Sequence, residues 1–274
     1  MTVRLAAACY GDGPPLAILH GLFGSGRNWA SIAQRLAAHH RVIALDLRNH
    51  GASPWAGRMQ YAEMAGDVVA TLRALGHTRF ALLGHSMGGK AAMAAALVDG
   101  AAVERLVVVD IAPVAYPRHH LAHVRAMRRL DLAGIGRRGD ADARLAPDVP
   151  DAAERGLLLQ NLVFEDPHPD PSPLVGEGRV GLRGKARWRL NLEAIERDMP
   201  ALAGFPSLPD DAVYGGSALF VAGGRSDYLR PEHKPEIRKR FPYSRIECIA
   251  EAGHWVHAEQ PRAFLELVEP FLAA

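Results

Sequence analysis

The sequence predicts an α/β fold in which a mostly parallel central sheet is flanked by helices. Short runs rich in valine, isoleucine and leucine alternate with longer stretches that carry apolar residues at helical spacing. This alternation is typical of βαβ units. In addition, 49% of the 274 residues are hydrophobic, which is enough for one large core. The length suits a single α/β domain with an added segment.

The predicted elements alternate along the chain. Strands are predicted at 16–20, 41–46, 79–84, 106–110, 218–222 and 245–250. Helices are predicted at 29–39, 61–75, 91–98, 232–241 and 261–272. The helix at 61–75 ends at Gly76, a residue type that is common just after helix C-termini. The run at 106–110 is apolar on both faces, as a buried parallel strand should be.

The alternation stops in the middle of the chain. From Pro113 to about Gly216 no run predicts a strand. Helical patches occupy parts of this stretch, at 120–132, 151–163 and 190–199. We therefore predict an α/β core formed by residues 1–113 and 217–274, with a helical lid inserted at 114–216. We expect this insertion to lie above the strand ends, where α/β sheets bind their ligands.

One stretch inside the predicted lid has an unusual composition. At about 166–184, prolines at alternate positions are followed by closely spaced glycines. Neither a helix nor a central strand accommodates so many prolines. We expect a flexible surface loop here, with no part in catalysis.

Charge and cysteine content narrow the class of protein. The chain has 32 basic and 30 acidic residues, a net charge of +2 and no block of like charge, so nucleic acid and membrane surfaces are disfavoured as partners. Cys9 and Cys248 lie in apolar runs that read as strands, where buried, inert thiols are usual. No disulfide framework, signal peptide or membrane span is indicated, and we expect a soluble cytoplasmic protein.

The strongest motif is Gly84-His85-Ser86-Met87-Gly88, which matches G-x-S-x-G between a predicted strand and a predicted helix. A nucleophile elbow requires this context. Its tight turn projects the serine hydroxyl at a helix N-terminus, where the helix dipole favours developing negative charge. We predict that Ser86 is a nucleophile. The alternative is an ordinary turn between a strand and a helix.

The same stretch also fits the beginning of a phosphate-binding loop. Residues 84–90 read G-x-x-x-x-G-K. The next residue is Ala91, where that motif requires serine or threonine to hold magnesium. No later strand clearly supplies a second magnesium-binding acid. Nucleotide binding is therefore disfavoured.

A glycine-rich loop, His20-Gly21-Leu22-Phe23-Gly24, follows the first core strand. In hydrolases that use a nucleophile elbow, this loop supplies one backbone N–H of the oxyanion hole, and the residue after the nucleophile supplies the other. We expect Leu22 to be the first donor, with Phe23 as the alternative, and Met87 to be the second. The alternative interpretation of the loop is a simple glycine turn.

The candidate base is His254, in Gly253-His254-Trp255 after the last predicted strand. A serine hydroxyl needs a positioned imidazole to take its proton, and the chain order serine, acid, histidine fits His254. We expect His257 to pack or to line the pocket rim. Three histidines have helical spacing that could suggest a metal site, namely His119, His120 and His123. No glutamate-containing zinc motif accompanies them, so we expect no metal.

Two aspartates at strand ends are candidates for the acid that orients His254. Asp110 closes the run at 106–110, and Asp227 follows the run at 218–222 through a short loop. Asp227 has the usual place, after the strand before last, and Asp110 lies one strand earlier. Either carboxylate could hold the imidazole and stabilise its charged form, so both remain open on this reasoning.

Taken together, the motifs resemble the α/β-hydrolase serine esterases, in particular the bacterial esterase and acyl-CoA thioesterase-like enzymes with their mitochondrial relatives. The matching segments are His20-Gly-Leu-Phe-Gly-Ser25, Asp46-Leu-Arg-Asn-His-Gly51 with Ser53, Gly84-His-Ser-Met-Gly-Gly-Lys90, Val109-Asp-Ile-Ala-Pro113 and Gly253-His-Trp-Val-His-Ala-Glu259. They cover nearly the whole chain outside the predicted lid. The Pro/Gly-rich loop departs from the family pattern and leaves the shape of the lid open.

This resemblance implies an α/β-hydrolase fold and cleavage of a carboxylic ester or acyl thioester through an acyl-enzyme intermediate. It implies a small-molecule substrate and no metal or organic cofactor. The aspartate of the family's Asp-Ile-Ala-Pro segment maps onto Asp110, which favours Asp110 over Asp227 as the acid.

Other activities use the same residues. A carbon–carbon bond hydrolase or a cofactor-free haloperoxidase could employ the same triad. An aspartate-nucleophile dehalogenase or epoxide hydrolase is disfavoured, because residue 86 is serine. A non-catalytic ligand-binding member of the fold is the alternative from a different class, since fold alone does not establish activity.

Two further groups of residues have both a structural and a functional interpretation. A polar loop after the second core strand contains Asp46, Arg48, His50 and Ser53. Its composition favours a hydrogen-bonded support for the nucleophile region over substrate contact. Three tryptophans could line an acyl pocket or pack in the core, namely Trp29, Trp188 and Trp255.

Overall fold

Nine strands are described in the computed structural model, which covers residues 1–118, 120–164, 185–209 and 211–274. They are β1 (Ala7–Tyr10), β2 (Pro15–Leu19), β3 (Arg41–Leu45), β4 (Phe80–His85), β5 (Val103–Val109), β6 (Leu162–Phe164), β7 (Ala186–Trp188), β8 (Ser217–Gly223) and β9 (Ser244–Ile249). Seven of them form one sheet in the order β1-β3-β2-β4-β5-β8-β9, and β6 pairs with β7.

Helices alternate with these strands. They are α1 (Ala30–Leu36), α2 (Tyr61–Ala74), α3 (Met87–Val98), α4 (His120–Arg129), α5 (Arg138–Leu145), α6 (Ala152–Leu159), α7 (Leu192–Ala203), α8 (Lys234–Arg240), α9 (Val256–Glu259) and α10 (Pro261–Ala273). Short 3₁₀ turns precede α1 and α8. Within the described ranges, no helix is long and apolar enough to cross a membrane.

The sheet is parallel except at one edge, where β1 runs antiparallel to β3. Its central strands are apolar throughout, and every residue of β4 is buried, as expected when helices cover both faces. Alternation along β2 divides the core into two layers. Leu16 and Ile18 face the layer that contains α1 and α10, whereas Ala17 and Leu19 face the layer that contains α2 and α3. The predicted α/β-hydrolase fold class is therefore confirmed.

The segment between β5 and β8 is only partly as predicted. Helices α4, α6 and α7 occupy the predicted patches, but α5 was missed because its sequence is mostly polar and buries only Ala141 and Leu145. The expectation of no strand in this segment was wrong, because β6 and β7 form an antiparallel pair. Each has three residues, too few for alternation to be visible in the sequence. The loop predicted at about 166–184 lies outside the described residues.

The two cysteines are not buried. Cys9 and Cys248 are both free and exposed, so the expectation of buried thiols was wrong. They lie in β1 and β9, the two edge strands of the sheet. Edge strands are covered by neighbours on fewer sides than central strands, and an apolar run does not reveal whether its strand lies at the edge.

The polar loop after β3 supports the fold through hydrogen bonds and one buried ion pair. The Asp46 carboxylate accepts hydrogen bonds from the N–H groups of Gly26 and Ala52, at 2.7 and 2.8 Å. The Ser53 hydroxyl donates to the carbonyl of Asp46. The guanidinium of Arg48 forms a two-point ion pair with Asp67 on α2, with N–O distances of 2.5 and 2.8 Å. These contacts favour the structural interpretation of this loop.

Removal of one partner of the buried Arg48–Asp67 pair should destabilise the protein. The side chains of Arg48 and Asp67 are only 2% and 0% exposed, so Asp67→Ala would leave a buried cation without a counter-charge. We expect Asp67→Ala to lower the free energy of unfolding by about 3–5 kcal/mol, measured by urea denaturation. Glu266→Ala is the control, because it removes an exposed pair with Arg262 and should cost less than about 1 kcal/mol. Equal losses in the two variants would contradict the prediction.

Candidate active site

Ser86 lies in a sharp turn between β4 and α3. Its backbone φ is 52°, a left-handed conformation that is rare for residues other than glycine, and its N–H donates to the carbonyl of Val109 at 3.0 Å. The turn requires glycine on both sides. A Cβ atom on Gly84 would lie 2.3 Å from the carbonyl oxygen of Gly88, and one on Gly88 would lie 2.3 Å from that of Leu19. This geometry is that of a nucleophile elbow.

The loop that follows β2 lies directly against this elbow. A Cβ atom on Gly21 would come within 2.9 Å of the His85 ring, so the close approach requires glycine. Leu22 and Met87 line the same cavity as Ser86. Phe23 is buried and has a left-handed φ of 65°. The structure thus gathers Ser86 and the two favoured oxyanion donors around one space.

His254 is held by the carboxylate of Asp110. Asp110 follows β5, has a φ of 49° and is completely buried. Its Oδ2 lies 2.8 Å from Nδ1 of His254 and also accepts a hydrogen bond from the Ser226 hydroxyl. Its Oδ1 accepts a hydrogen bond from the N–H of Gly223 at 3.0 Å. Three donors from two neighbouring loops therefore satisfy one carboxylate.

Asp227 is not brought to His254. Its side chain is 86% exposed and pairs with Arg230 at 2.5 Å. The loop after β8 instead turns the preceding residue, Ser226, towards Asp110. Sequence reasoning missed Ser226, because a serine in a loop carries no local pattern. The only indication of Ser226 in the sequence was its position after the strand before last. That position was considered for the acid and assigned to the neighbouring Asp227.

His85 links the elbow to the loop that carries His254. Its Nε2–H donates to the main-chain carbonyl of His254 at 2.9 Å. Burial holds the pKa of His85 well below its ordinary value of 6.5, so the ring is neutral at physiological pH. The Ser86 hydroxyl itself makes no hydrogen bond to the His254 ring in the part of the chain that the structure describes. Catalytic hydrogen bonds commonly form only when substrate binds.

His257 lies close to the loop that carries His254, and its ring is neutral. Its ring stacks on Trp29, with centroids 3.7 Å apart and an interplanar angle of 11°. Burial lowers its pKa from 6.5 to about 3. Its side chain also lines a pocket beside Trp255. His257 therefore both packs and borders a pocket.

Lys90 is a buried lysine one turn along α3 from Ser86. Its Nζ donates to the carbonyls of Ala203 and Gly204, at 3.1 and 2.5 Å, and lies 4.7 Å from the centre of the Tyr116 ring. Burial lowers its pKa from 10.5 to about 7. No carboxylate pairs with it among the described residues. The carbonyls it contacts lie at the end of α7, so Lys90 connects α3 to the segment between β5 and β8.

Two cavities open near Ser86. A narrow one of about 50 Å³ contains Ser86 itself, and a wider one of about 420 Å³ lies between Trp29, Trp255 and α6. Leu22 borders both. The third tryptophan, Trp188, is buried and donates from its indole N–H to the carbonyl of Met127 in α4. A larger hollow of about 710 Å³ lies beside β1, and none of the predicted catalytic residues lines it.

Two of the three histidines considered for a metal site have other partners in the structure. His119 lies outside the described residues. His120 contacts the Tyr228 hydroxyl at 3.2 Å, and Nε2 of His123 lies 3.2 Å from the carboxylate of Glu154. Within the described ranges, no group of three or more histidine, cysteine or acidic side chains has the arrangement of a metal site.

Comparisons with known proteins find relatives that match nearly the whole chain. The family model described as alpha/beta hydrolase fold matches residues 14–261. The sn-1-specific diacylglycerol lipase ABHD11 of Xenopus tropicalis is 40% identical over 268 residues, which cover 95% of this chain and 78% of that protein. Esterase YbfF of Escherichia coli is 33% identical over 259 residues, covering 94% of this chain and 92% of the relative.

A solved structure is similar over the whole chain. It is described as a marine microorganism esterase and is superimposed with a TM-score of 0.89, at 32% identity, over 98% of this chain and 100% of the other. The chain therefore belongs to the α/β-hydrolase family and, within it, to the serine ester hydrolases.

The buried neutral histidines should make the protein acid-sensitive. Burial lowers the pKa of His50 and of His257 from 6.5 to about 3. Between pH 6.5 and 3 these histidines bind protons in the unfolded chain but not in the folded protein. The free energy of unfolding should therefore fall as the pH decreases from about 6.5 towards 3, by up to about 1.4 kcal/mol per pH unit for each group. His257→Phe keeps the stacking on Trp29. It should make the dependence of the free energy of unfolding on pH shallower, by up to the contribution of one titrating group.

Urea denaturation at a series of pH values between 4 and 8 measures the slope. His39→Phe, at an exposed position, is the control and should keep the wild-type slope. If His257→Phe also kept the wild-type slope, the prediction would be contradicted, because His257 would then bind protons equally well in the folded and unfolded states.

Proposed function

We propose that Ser86, His254 and Asp110 form a catalytic triad that hydrolyses carboxylic esters through an acyl-enzyme intermediate. The observation that carries this proposal is the 2.8 Å contact between His254 Nδ1 and the buried Asp110 carboxylate, beside a strained serine at an elbow. A buried carboxylate at Nδ1 favours the tautomer with its proton on Nδ1, which leaves Nε2 free to accept the serine proton.

The reaction proceeds in two halves. As Ser86 Oγ attacks the ester carbonyl carbon, His254 Nε2 takes its proton, and the backbone N–H groups of Leu22 and Met87 bind the oxyanion. The carbon–oxygen bond to the alcohol then breaks, and the alcohol leaves with the proton from Nε2. Water next attacks the acyl-enzyme, gives its proton to Nε2, and releases the acid as Ser86 recovers its proton.

Asp110 is the favoured acid because of its surroundings. Its two oxygens accept three hydrogen bonds in a fully buried position. A carboxylate fixed in this way stabilises the imidazolium that forms during the reaction. Asp227 is exposed and paired with Arg230, so it lacks these properties.

We propose that the segment 114–216 acts as a lid that selects the substrate. In support, Met199, Leu202 and Ala203 of α7 line the narrow cavity with Ser86. The end of α7 is also tied to the core, since the hydroxyl of Tyr61 donates to the carbonyl of Leu202 at 2.6 Å and Lys90 donates to the next two carbonyls.

The chemistry of the proposed triad and the names of the relatives indicate the substrate class. Relatives are named as a diacylglycerol lipase and as esterases, so we propose small carboxylic esters as the main substrates and acyl thioesters as a second group. The same attack serves both, since only the leaving atom differs. Two exposed free thiols suit a reducing compartment, and we propose the cytoplasm as the location.

Substitution of the triad tests the assignment. We expect wild-type protein to hydrolyse p-nitrophenyl esters and acyl thioesters. Ser86→Ala should lower kcat/KM by at least about 10⁴-fold. Asp110→Asn should lower kcat by about 10³- to 10⁴-fold, because the imidazole would adopt the wrong tautomer. Asp227→Asn is the matched control and should leave kcat unchanged.

The outcomes separate the candidate functions. A larger loss in Asp227→Asn than in Asp110→Asn, with both variants folded, would identify the wrong acid. If wild-type protein turned over no ester or thioester and a fluorophosphonate failed to label Ser86, a non-catalytic binding role would replace the proposal. Turnover of carbon–carbon bond substrates, or halogenation, in place of ester hydrolysis would favour the other activities of this triad.

The size of the narrow cavity should determine which acyl chain length the protein prefers. Because the space beside Ser86 measures only about 50 Å³, we expect wild-type protein to favour short acyl chains. Met199→Ala should enlarge this space and shift the optimum of kcat/KM to longer p-nitrophenyl esters. Leu157→Ala, which enlarges the wider pocket, is the matched control and should leave the optimum in place. Thermal unfolding checks that Met199→Ala, which is expected to cost about 2–5 kcal/mol, remains folded. An unchanged optimum in the folded variant would place the acyl chain elsewhere.

A further inference from the structure

The ring of Tyr228 lies against the ring of His254. The two rings are stacked, with centroids 4.1 Å apart and planes inclined by 26°. Tyr228 also lines the cavity that contains Ser86. The reaction steps described above do not use it, and no sequence motif indicated it.

The backbone of Tyr228 is fixed by the groups that surround the acid. Its N–H donates at 3.2 Å to the Ser226 hydroxyl oxygen, and that hydroxyl donates to Asp110. Its carbonyl accepts a hydrogen bond from the Tyr116 hydroxyl at 2.5 Å. The Tyr116 oxygen accepts in turn from the N–H of Ala112, two residues after Asp110. The stacked ring and the acid are therefore held by one connected set of hydrogen bonds.

The hydroxyl of Tyr228 reaches the inserted segment. It lies 3.2 Å from Nε2 of His120, the first residue of α4. A single side chain thus contacts His254 through its ring face and the inserted segment through its hydroxyl, while its backbone is bonded to the loop of the acid.

We infer that Tyr228 is a positioning residue that fixes the plane of the His254 ring, an inference that rests on the proposed triad. The contact with Asp110 holds only Nδ1, so the tilt of the imidazole about that hydrogen bond is limited by the neighbouring rings, which are His85 at 4.7 Å and, stacked more closely at 4.1 Å, Tyr228. A stacked aromatic face opposes this tilt and keeps Nε2 directed at the serine proton. Aromatic faces also attract cations, so the same contact stabilises the imidazolium that forms when His254 accepts the proton.

Removal of the ring should affect the chemical step more than substrate binding. We expect Tyr228→Leu to lower kcat by about 10- to 100-fold, the scale of a small misplacement of a reacting group, with KM changed by less than about threefold. The rate of Ser86 labelling by a fluorophosphonate should fall in parallel. Tyr228→Phe keeps the ring and should retain most of the wild-type kcat.

A spectroscopic measurement reports on the ring directly. The proton on Nδ1 of His254 should give a resonance far downfield in the ¹H NMR spectrum of wild-type protein and of Tyr228→Phe. In Tyr228→Leu it should broaden or be lost, because a mobile imidazole exposes this proton to exchange with water. Tyr243→Leu is the matched control, since Tyr243 is 70% exposed and makes no contact with His254, and it should behave as wild type.

The outcomes distinguish this inference from the proposed function. An inert wild-type protein would overturn the proposed triad itself. An active wild type with an unchanged kcat in folded Tyr228→Leu would overturn only the positioning role. A rise in KM with kcat unchanged would also overturn it and would assign Tyr228 to substrate binding. If Tyr228→Leu failed to fold, Tyr228→Gln, which also lacks a ring but keeps a polar end, would be held to the same expectations.

Discussion

The arrangement of the site depends on one buried carboxylate. Asp110 is 0% exposed, and a charge in such a position is tolerated only when hydrogen bonds replace the lost water. The N–H of Gly223, the hydroxyl of Ser226 and the ring of His254 supply them. These donors come from the ends of β8 and β9, while Asp110 itself ends β5. The need to satisfy one carboxylate thus fixes three neighbouring loops relative to one another.

Backbone strain marks the same edge of the sheet. Among the described residues, four other than glycine have a positive φ: Ser86 and Asp110 directly follow β4 and β5, and Phe23 and Asn49 lie in the loops after β2 and β3. Conformations of this kind cost of order 1–3 kcal/mol each and persist only where the surroundings enforce them. Here a parallel sheet with both faces buried provides the rigid support. The strain therefore lies where the chain leaves the sheet and side chains must point into the site.

The sequence predicts the parts of the site that depend on local geometry. The elbow of Ser86 needs glycines at fixed offsets between a strand and a helix, and the place of His254 follows from the last strand, so both were visible in the sequence. The choice between Asp110 and Asp227 was not settled by local reasoning, because both end strands. It depends on how the loop after β8 turns. That turn directs Ser226 inwards and Asp227 to solvent.

Other features escaped prediction for a related reason. The exposure of Cys9 and Cys248 depends on strand order in the sheet, which apolar patterning does not reveal. The paired strands β6 and β7 are too short to show alternation. Tyr228 contacts His254 and His120, and Lys90 contacts the carbonyls of Ala203 and Gly204. These partners lie on other elements of the fold, and a single tyrosine or lysine has no pattern that reports such contacts.

The same elements of the fold hold the residues of the proposed triad and the segment between β5 and β8. Helix α3 begins immediately after Ser86, and one turn later its Lys90 holds the carbonyls at the end of α7. The loop of the acid carries Tyr228, whose hydroxyl contacts the first residue of α4. Helices α4 and α7, which lie at the two ends of the segment between β5 and β8, thus each contact an element that carries a residue of the proposed site. Because these contacts are a stacked ring and direct hydrogen bonds, the positions of Ser86 and His254 and those of α4 and α7 constrain one another.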